Sequence, residues 1–441
     1  MSETILNIGF DDTDSPKGMC TTYLAYKIVD LLKDEKVEFL DFPRLVRFNP
    51  NIPWKTRGNG AVGIKIKTNN PKIIKQKIFK MLKRYSDTKN GANPGLVFYE
   101  GDVIPESFSK FSKMALWKLI KRGSAKKLLQ KHNIDFYYQG NGQGLIGALG
   151  AIGYSFDDHT MELLSYRKKS KFGSKRSLSE SSVKEMQEKT FPLTFNSYDN
   201  KKNHVMIAPR GPDPVFYGIR GEDPDTLIDA SKMIKSNEKP QGYMLFKSNQ
   251  GTGAHLENEL DVNSLRPYHS GTITGIVSSN PIMNLGGHVT FSLKSNKKEI
   301  TCAIYKPTGI TNHGMNLIIG DVIKVGGGIR KASKNYSRVL NVEFLEILEL
   351  KRIEKKSNPR CNDCNKQMKS KGKSQGFECI RCGKKEKNKV IIEIPRKLKK
   401  EMYLPILSAH RHLTRPAQRQ RIQNTKSQFK DSRPWFFVFN N

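Results

Sequence analysis

The sequence predicts a multidomain α+β protein, and three features predict it. Apolar runs alternate with helical periodicities over residues 3–132. Residues 268–350 instead alternate apolar and polar side chains with period two, in five short runs. Two CxxC pairs follow, "CNDC" (Cys361, Cys364) and "CIRC" (Cys379, Cys382). At 441 residues the chain has room for about three domains.

In chain order, "ETILNIGF" (3–10) reads as a buried strand, and Leu24, Ile28, Leu31 and Leu32 recur behind it at helical spacing. Asp11, Asp12 and Asp14 therefore fall in a strand-to-helix turn, with Thr21 and Thr22 at the start of the helix. "VEFLDFPRLVRF" and "GAVGIKIKT" (60–68) read as strands, and 71–85 and 107–132 as helices with basic exposed faces. "GQGLIGALGAIG" (142–153) is glycine-rich, but no Lys-Ser/Thr pair follows, so it is not an ordinary phosphate loop. After "TMELLSYR" comes a polar, basic stretch from Lys168 to Lys189, in which 182–188 reads as a short helix. "FPLTFNSYD" (191–199), "APRGPDPVFYGIRGED" (208–223) and "FKSNQGTGAHL" (246–256) read as loops, dense in turn residues and charges, where sites concentrate.

The five runs between 268 and 350 suit a small closed barrel of the OB type, with an SH3-like barrel or a short sandwich as rivals. Fourteen residues separate Cys364 from Cys379, the spacing of a zinc ribbon in which each CxxC closes half of a tetrahedral thiolate site. Two disulfides are the alternative, disfavoured in a chain that opens without a signal peptide. Cys20 and Cys302 read as small apolar residues, Cys20 beside the acidic turn. A tail containing "HRHLTRPAQRQR" ends in "RPWFFVFNN".

Lys plus Arg number 76 against 42 acids, a formal charge of +34. That favours a polyanion such as nucleic acid, although a lysine-rich proteome would produce the same excess. No apolar run approaches the length of a membrane span, so the expected location is the cytoplasm, with no membrane partner.

Three carboxylates within four positions repel one another unless a cation sits among them. At a strand end they suit magnesium, which takes a few carboxylates together with waters and phosphate oxygens. The helix start at Thr21 and Thr22 attracts anions. Together these make a phosphoryl-transfer site, for which an Asx-type turn with a threonine cap is the plain alternative. Arg210, Asp213, Arg220 and Glu222 supply guanidinium groups that can clamp phosphate and acids that can orient them, or else form surface ion pairs. His255 reads as a base or a structural histidine, and the basic tail as an RNA contact or a solvated segment.

"GFDDTDSPKGMCTTYL", "GAIGY", "FPLTF", "YGIRGE" and "NQGTGAHL", with the barrel pattern and the four cysteines, resemble one family over nearly the whole chain. It is the archaeal tRNA(Ile) 2-agmatinylcytidine synthetases, the TiaS family. The resemblance implies a kinase-like α/β domain (1–132), a ferredoxin-like domain (133–262) completing an ATP and agmatine site, an OB fold (266–350), a zinc ribbon (355–395) and the tail (396–441). It implies an ATP-dependent ligase that joins agmatine to C2 of the wobble cytidine in the CAU-anticodon isoleucine tRNA. In that family the cytidine carbonyl is phosphorylated, the amine displaces phosphate, ATP ends as AMP and a threonine is also phosphorylated.

By motif position that threonine is Thr21, beside Asp11, Asp12 and Asp14. Thr13, Ser15, Thr22, Arg220 and Glu222 stand at ATP or phosphate positions, and Arg210, Asp213, Asn249 and His255 at substrate positions. ATP, magnesium and zinc are the implied cofactors, and tRNA and agmatine the partners. Gly253 stands where the family has an acid, which puts a polar role there in doubt. A non-catalytic tRNA-binding protein and a metal-dependent RNA nuclease compete with the ligase, and ATP dependence separates the three.

Overall fold

The computed structural model describes residues 3–334, 337–425 and 429–439. Its first half is built on one sheet. β1 (Thr4–Asp11) is followed by α1 (Thr21–Lys33), β2 (Val37–Phe39), β3 (Arg44–Arg47), β4 (Gly60–Thr68), α2 (Pro71–Tyr85), β5 (Gly95–Glu100), α3 (Glu106–Trp117), α4 (Arg122–Lys131), β6 (Asp135–Tyr138) and α5 (Gly144–Gly153). Then come β7 (Thr160–Tyr166), α6 (Glu180–Thr190), β8 (Thr194–Phe195), the small pair β9 (Tyr198–Asp199) and β10 (His204–Val205), β11 (Val215–Gly221), α7 (Pro224–Met233) and β12 (Gly242–Ser248). The strands lie in the order β6-β5-β1-β4-β3-β12-β7-β11-β8, and β3 meets β12 in parallel through Lys247 opposite Arg44. The two α/β units therefore share one continuous sheet and one large core, in which Leu6, Ile8, Phe10, Leu163 and Phe246 are buried.

The expected loops at 208–223 and 246–256 are in part central strands, β11 and the end of β12. Their flanking Gly, Pro and Asn residues read as turn chemistry, whereas sheet pairing on both sides makes Val215–Gly221 and Gly242–Ser248 extended. The glycine-rich stretch is α5, with Gly144, Gly147, Gly150 and Gly153 repeating every third residue. Lack of side chains lets this helix lie almost on the sheet: a Cβ on Gly9 would stand 2.0 Å from the Ala148 carbonyl oxygen, and one on Gly95 2.2 Å from the Gly144 carbonyl carbon. β6 pairs with β5, and α5 packs on β1, so residues beyond 132 complete the first unit.

The second half opens with a barrel of β13 (Ser270–Val277), β14 (Ile282–Met283), β15 (Val289–Ser295), β16 (Lys298–Ile304), α8 (Thr311–Met315), β17 (Val322–Arg330) and β18 (Val339–Glu349). Its five main strands close in the order β13-β15-β16-β18-β17-β13, with β16 and β18 parallel and the other pairs antiparallel. That is the strand order of an OB barrel. The hairpin β19 (Ile353–Ser357) and β23 (Val390–Ile394) flanks a ribbon of β20 (Lys369–Ser370), β21 (Phe377–Glu378) and β22 (Lys385–Glu386).

The tail is a strap. β24 (Met402–Tyr403) pairs with barrel strand β18, and β25 (Phe436–Val438) pairs with β12 of the large sheet. Trp435 is 1% exposed in the first-half core. The basic residues expected to be solvated or on RNA are instead partnered internally: Arg411 with Glu343 (3.3 Å), Arg415 with Asp158 (2.7 Å), and Arg419 with Asp158 (3.0 Å) and Glu222 (2.5 Å). Burying Arg419 completely is possible because two carboxylates and two backbone carbonyls receive its protons.

Candidate functional site

The end of β1 carries the acidic turn to the edge of the sheet, and α5 lies against it. A Cβ on Gly147 would stand 1.9 Å from an Asp11 carboxylate oxygen, so glycine makes room for this acid. Burial raises the Asp11 carboxyl well above the usual carboxylate range, and the Asp12 charge adds to the rise. Asp12 takes a left-handed backbone (φ 56°). It is buried, its Oδ2 has no hydrogen-bond partner, and burial with the Asp14 charge pushes its carboxyl up to about 6.

Asp14 turns to the opposite side. Arg57 Nη1 donates to its Oδ2 (2.8 Å) and Thr56 Oγ1 to its Oδ1 (3.0 Å), which offset a rise caused by burial. The three acids therefore do not form one cage. Among the described residues, the four cysteines are the only such group of three or more metal-ligating side chains, with ligand atoms all within 4.8 Å of one another. That cluster has the thiolate chemistry and closeness of a tetrahedral zinc site. At the turn, Asp11 and Asp12 are two close carboxylates raised by burial, one with an orphaned oxygen, and this donor set fits a divalent cation that keeps waters or phosphate oxygens.

Two cavities flank the turn. One, of about 470 Å³, is lined by Asp11, Phe48, Trp54, Lys55, Lys118 and Arg122 among others. The other, of about 370 Å³, brings together Asp14, Thr21, Thr22, Arg210, Asp213 and Arg220 from the sequence expectations. Thr21 is the first residue of α1, buried, and its Oγ1 accepts from Thr13 Oγ1 (3.1 Å). Arg57 also approaches Asp213 (3.9 Å), and Arg220 Nε lies 3.4 Å from buried Glu162.

Other expected site residues are occupied elsewhere. Glu222 is tied to Arg419 and to the Asn424 amide (2.7 Å), outside this cavity, so a direct phosphate role does not fit its position. Ser15 Oγ donates to Asp87 (2.5 Å). Asn249 accepts from the Arg47 N–H (2.7 Å) and donates to the Arg47 carbonyl (2.9 Å), which fixes the end of β3. His255 is fully buried, 3.0 Å from Glu343 of the barrel, and serves the contact between the halves. Arg210 Nη2 lies 3.1 Å from His204 at the second cavity.

Sequence reasoning missed Arg47, Arg57, Glu162 and His412, which all line the second cavity. Glu162 carried a signal, as an isolated acid within the apolar run "TMELLSY". Arg47, Arg57 and His412 carried none, because they converge only through long-range pairing.

Three family models match the chain: the TiaS TCKD domain over residues 7–74, the TiaS FLD domain over 142–255 and the TiaS C-terminal zinc ribbon domain over 358–398. The isoleucine-tRNA 2-agmatinylcytidine synthetase TiaS of Cenarchaeum symbiosum (strain A) is 46% identical over 441 residues, covering 100% of this chain and 98% of that protein. The crystal structure of a TiaS complex with isoleucine tRNA and ATP matches with TM-score 0.80 and 32% identity, covering 95% of this chain and 98% of the other. That of a TiaS complex with isoleucine tRNA, AMPCPP and agmatine matches with TM-score 0.80, 31% identity and the same coverage.

Proposed function

The chain belongs to the TiaS family, and from that premise we propose how its two cavities divide the reaction. The protein is an ATP-dependent ligase that joins agmatine to C2 of the wobble cytidine of the CAU-anticodon isoleucine tRNA. The C2 carbonyl is a poor electrophile, and phosphorylation makes its oxygen a leaving group. The agmatine amine then attacks C2 and gives up a proton to solvent, phosphate departs with the former carbonyl oxygen, and the second phosphoryl group lost as ATP becomes AMP passes to water by way of the threonine.

One observation carries the assignment of roles: Arg47, Arg57 and Arg220 line the same cavity as the Thr21 hydroxyl, which stands at a helix N-terminus. Guanidinium groups fixed around a small space neutralise charge as phosphoryl groups move, and positioning with electrostatics supplies most of such catalysis. ATP phosphates occupy this cavity in our reading, with Thr21 within reach as the phosphorylated threonine. Asp11 and Asp12, in the turn that the two cavities flank, would hold magnesium, which would supply charge neutralisation for phosphoryl transfer. The cavity on the other side of the turn, with Trp54 half out in solvent and lysines in its lining, receives the wobble nucleotide, since stacking faces and cations are what single-stranded RNA needs.

The first unit extends through α5, the second runs from β7 to β12, and the barrel and zinc-bound ribbon grip tRNA. Acting on tRNA, the protein works in the cytoplasm in our reading. No helix among the described residues is long and apolar enough to cross a membrane. The test is Arg57→Met, assayed for AMP formation with tRNA and agmatine. KM for ATP should rise at least tenfold with tRNA affinity unchanged; an unaltered KM places the phosphates elsewhere.

A further inference from the structure

The strap enters the second cavity. His412, nine residues after its barrel pairing ends at Tyr403, is among the cavity's lining residues, with Arg47 and Arg220. Its Nδ1 lies 2.5 Å from Gln250 Oε1. Arg220 Nη2 stands 3.5 Å from the same ring nitrogen, a contact against the ring edge. Both guanidinium groups share one buried carboxylate, Glu162, at 3.7 Å from Arg47 and 3.4 Å from Arg220. Two cations on one acid repel each other, and a neutral ring beside them limits where each can go.

Gly58 shows that this placement is built in. A Cβ there would lie 2.5 Å from His412 Cδ2 and 2.6 Å from Arg47 Nη1. Gly58 is not among the residues with positive φ, so glycine is needed at this position for space rather than for backbone conformation. On the other side of the same backbone, Arg411 Nη1 donates to Asn51 (2.7 Å) and pairs with Glu343 of the barrel. Adjacent strap residues thus hold the barrel and enter the cavity.

We propose that the C-terminal strap is part of the catalytic apparatus, with His412 a positioning residue that fixes Arg47 and Arg220 for the ATP phosphates. This rests on the reading of the cavity as the phosphate site. Burial and the charges of Arg47, Arg220 and Lys55 hold the His412 ring neutral, consistent with a spacer between cations.

The experiment is a double-mutant cycle on the full chain, with KM for ATP and kcat of AMP formation measured at saturating tRNA and agmatine. Arg220→Ala, His412→Leu and the double variant are compared, with His412→Asn keeping an amide donor near the Nδ1 position. His412→Leu should raise KM for ATP about tenfold with a smaller change in kcat, the scale of a displaced binding group. His412→Asn should recover most of the loss, tRNA affinity and zinc content should stay unchanged, and the double variant should lose clearly less than the sum of the two single losses, since only the Arg47 part of the His412 effect remains once Arg220 is gone. Additive effects, or full activity in His412→Leu, overturn the proposal while leaving the phosphate site in place. An Arg220→Ala protein with unaltered KM for ATP overturns the phosphate reading itself. If His412→Leu does not fold, Gly58→Ala crowds the ring from the opposite side and should show the same rise in KM; unchanged kinetics in that folded variant overturn the proposal.

Discussion

Replacing Asp12 by asparagine removes a charge that the fold holds at a cost. Burial and the Asp14 carboxylate push the Asp12 carboxyl up to about 6, against about 3.9 for an unfolded chain. The folded protein thus binds this proton more tightly than the unfolded chain does. The resulting stabilisation is complete below about pH 4 and is lost as pH rises through about 6. Two pKa units correspond to about 3 kcal/mol. Asparagine does not titrate and tolerates the left-handed backbone at φ 56°. Burying its amide takes back part of the gain, leaving roughly 1–2 kcal/mol in favour of the variant near pH 8.

Thermal unfolding of the metal-free protein measures this, as a first-half transition raised by roughly 2–6 °C near pH 8, with the difference shrinking as pH falls and changing sign by about pH 4. Removing the Asp12 charge also lowers the Asp11 carboxyl, for which it is the second cause of the rise after burial, so the gain is not confined to one group. With magnesium and ATP the order should reverse, because only the wild type gains from binding, and AMP formation by the variant should fall by orders of magnitude. A variant less stable than wild type near pH 8 without metal, or a difference independent of pH, would refute the reasoning.

Thr21 should carry a phosphate after incubation with ATP and magnesium, absent in Thr21→Ala; peptide mapping that finds phosphate only on Thr22, or on neither, contradicts the role given to its hydroxyl. Cys379→Ser should lower zinc content and weaken tRNA affinity while ATP binding survives, since the buried apolar side chains beside the cysteines are only Met368 and Phe377, too little core to hold a ribbon without metal. Joint loss of ATP and tRNA binding in a folded variant would show the ribbon to be built into the catalytic half. Arg419→Met leaves Glu222 without its guanidinium partner and Asp158 with Arg415 alone, and should cost roughly 3–5 kcal/mol and expose the strap to trypsin; a loss below about 1 kcal/mol would mean the strap is held by Trp435 and β25 instead.

What the sequence made legible was local. β1, the acidic turn and α1 follow from an apolar run, three aspartates and helical spacing, and the barrel strands from period-two alternation such as "HVTFSLK". The cysteines announce their cluster by spacing alone. β11 and β12 were hidden because "GPDPVFYGIRGED" mixes turn residues with strand residues, and only neighbours on both sides decide between them. The glycines of α5 could be read only as no ordinary phosphate loop, because their purpose, close approach to β1, belongs to tertiary packing. The strap was least legible of all: Arg415 and Arg419 are charges a sequence reads as solvated, and their partners Asp158 and Glu222 lie about two hundred positions or more upstream. The divergence of Asp14 from Asp11 and Asp12 was equally invisible, since it depends on Arg57 reaching across from the β3–β4 connection.

Mass spectrometry of the wobble nucleoside tests the central claim most directly. The purified protein is incubated with CAU-anticodon isoleucine tRNA, ATP, magnesium and agmatine, and the tRNA is then digested to nucleosides. The account requires a cytidine heavier by agmatine less one water, formed only when both ATP and agmatine are present and accompanied by AMP. Unmodified cytidine in intact tRNA under these conditions, or tRNA cleaved without any need for ATP, would contradict it.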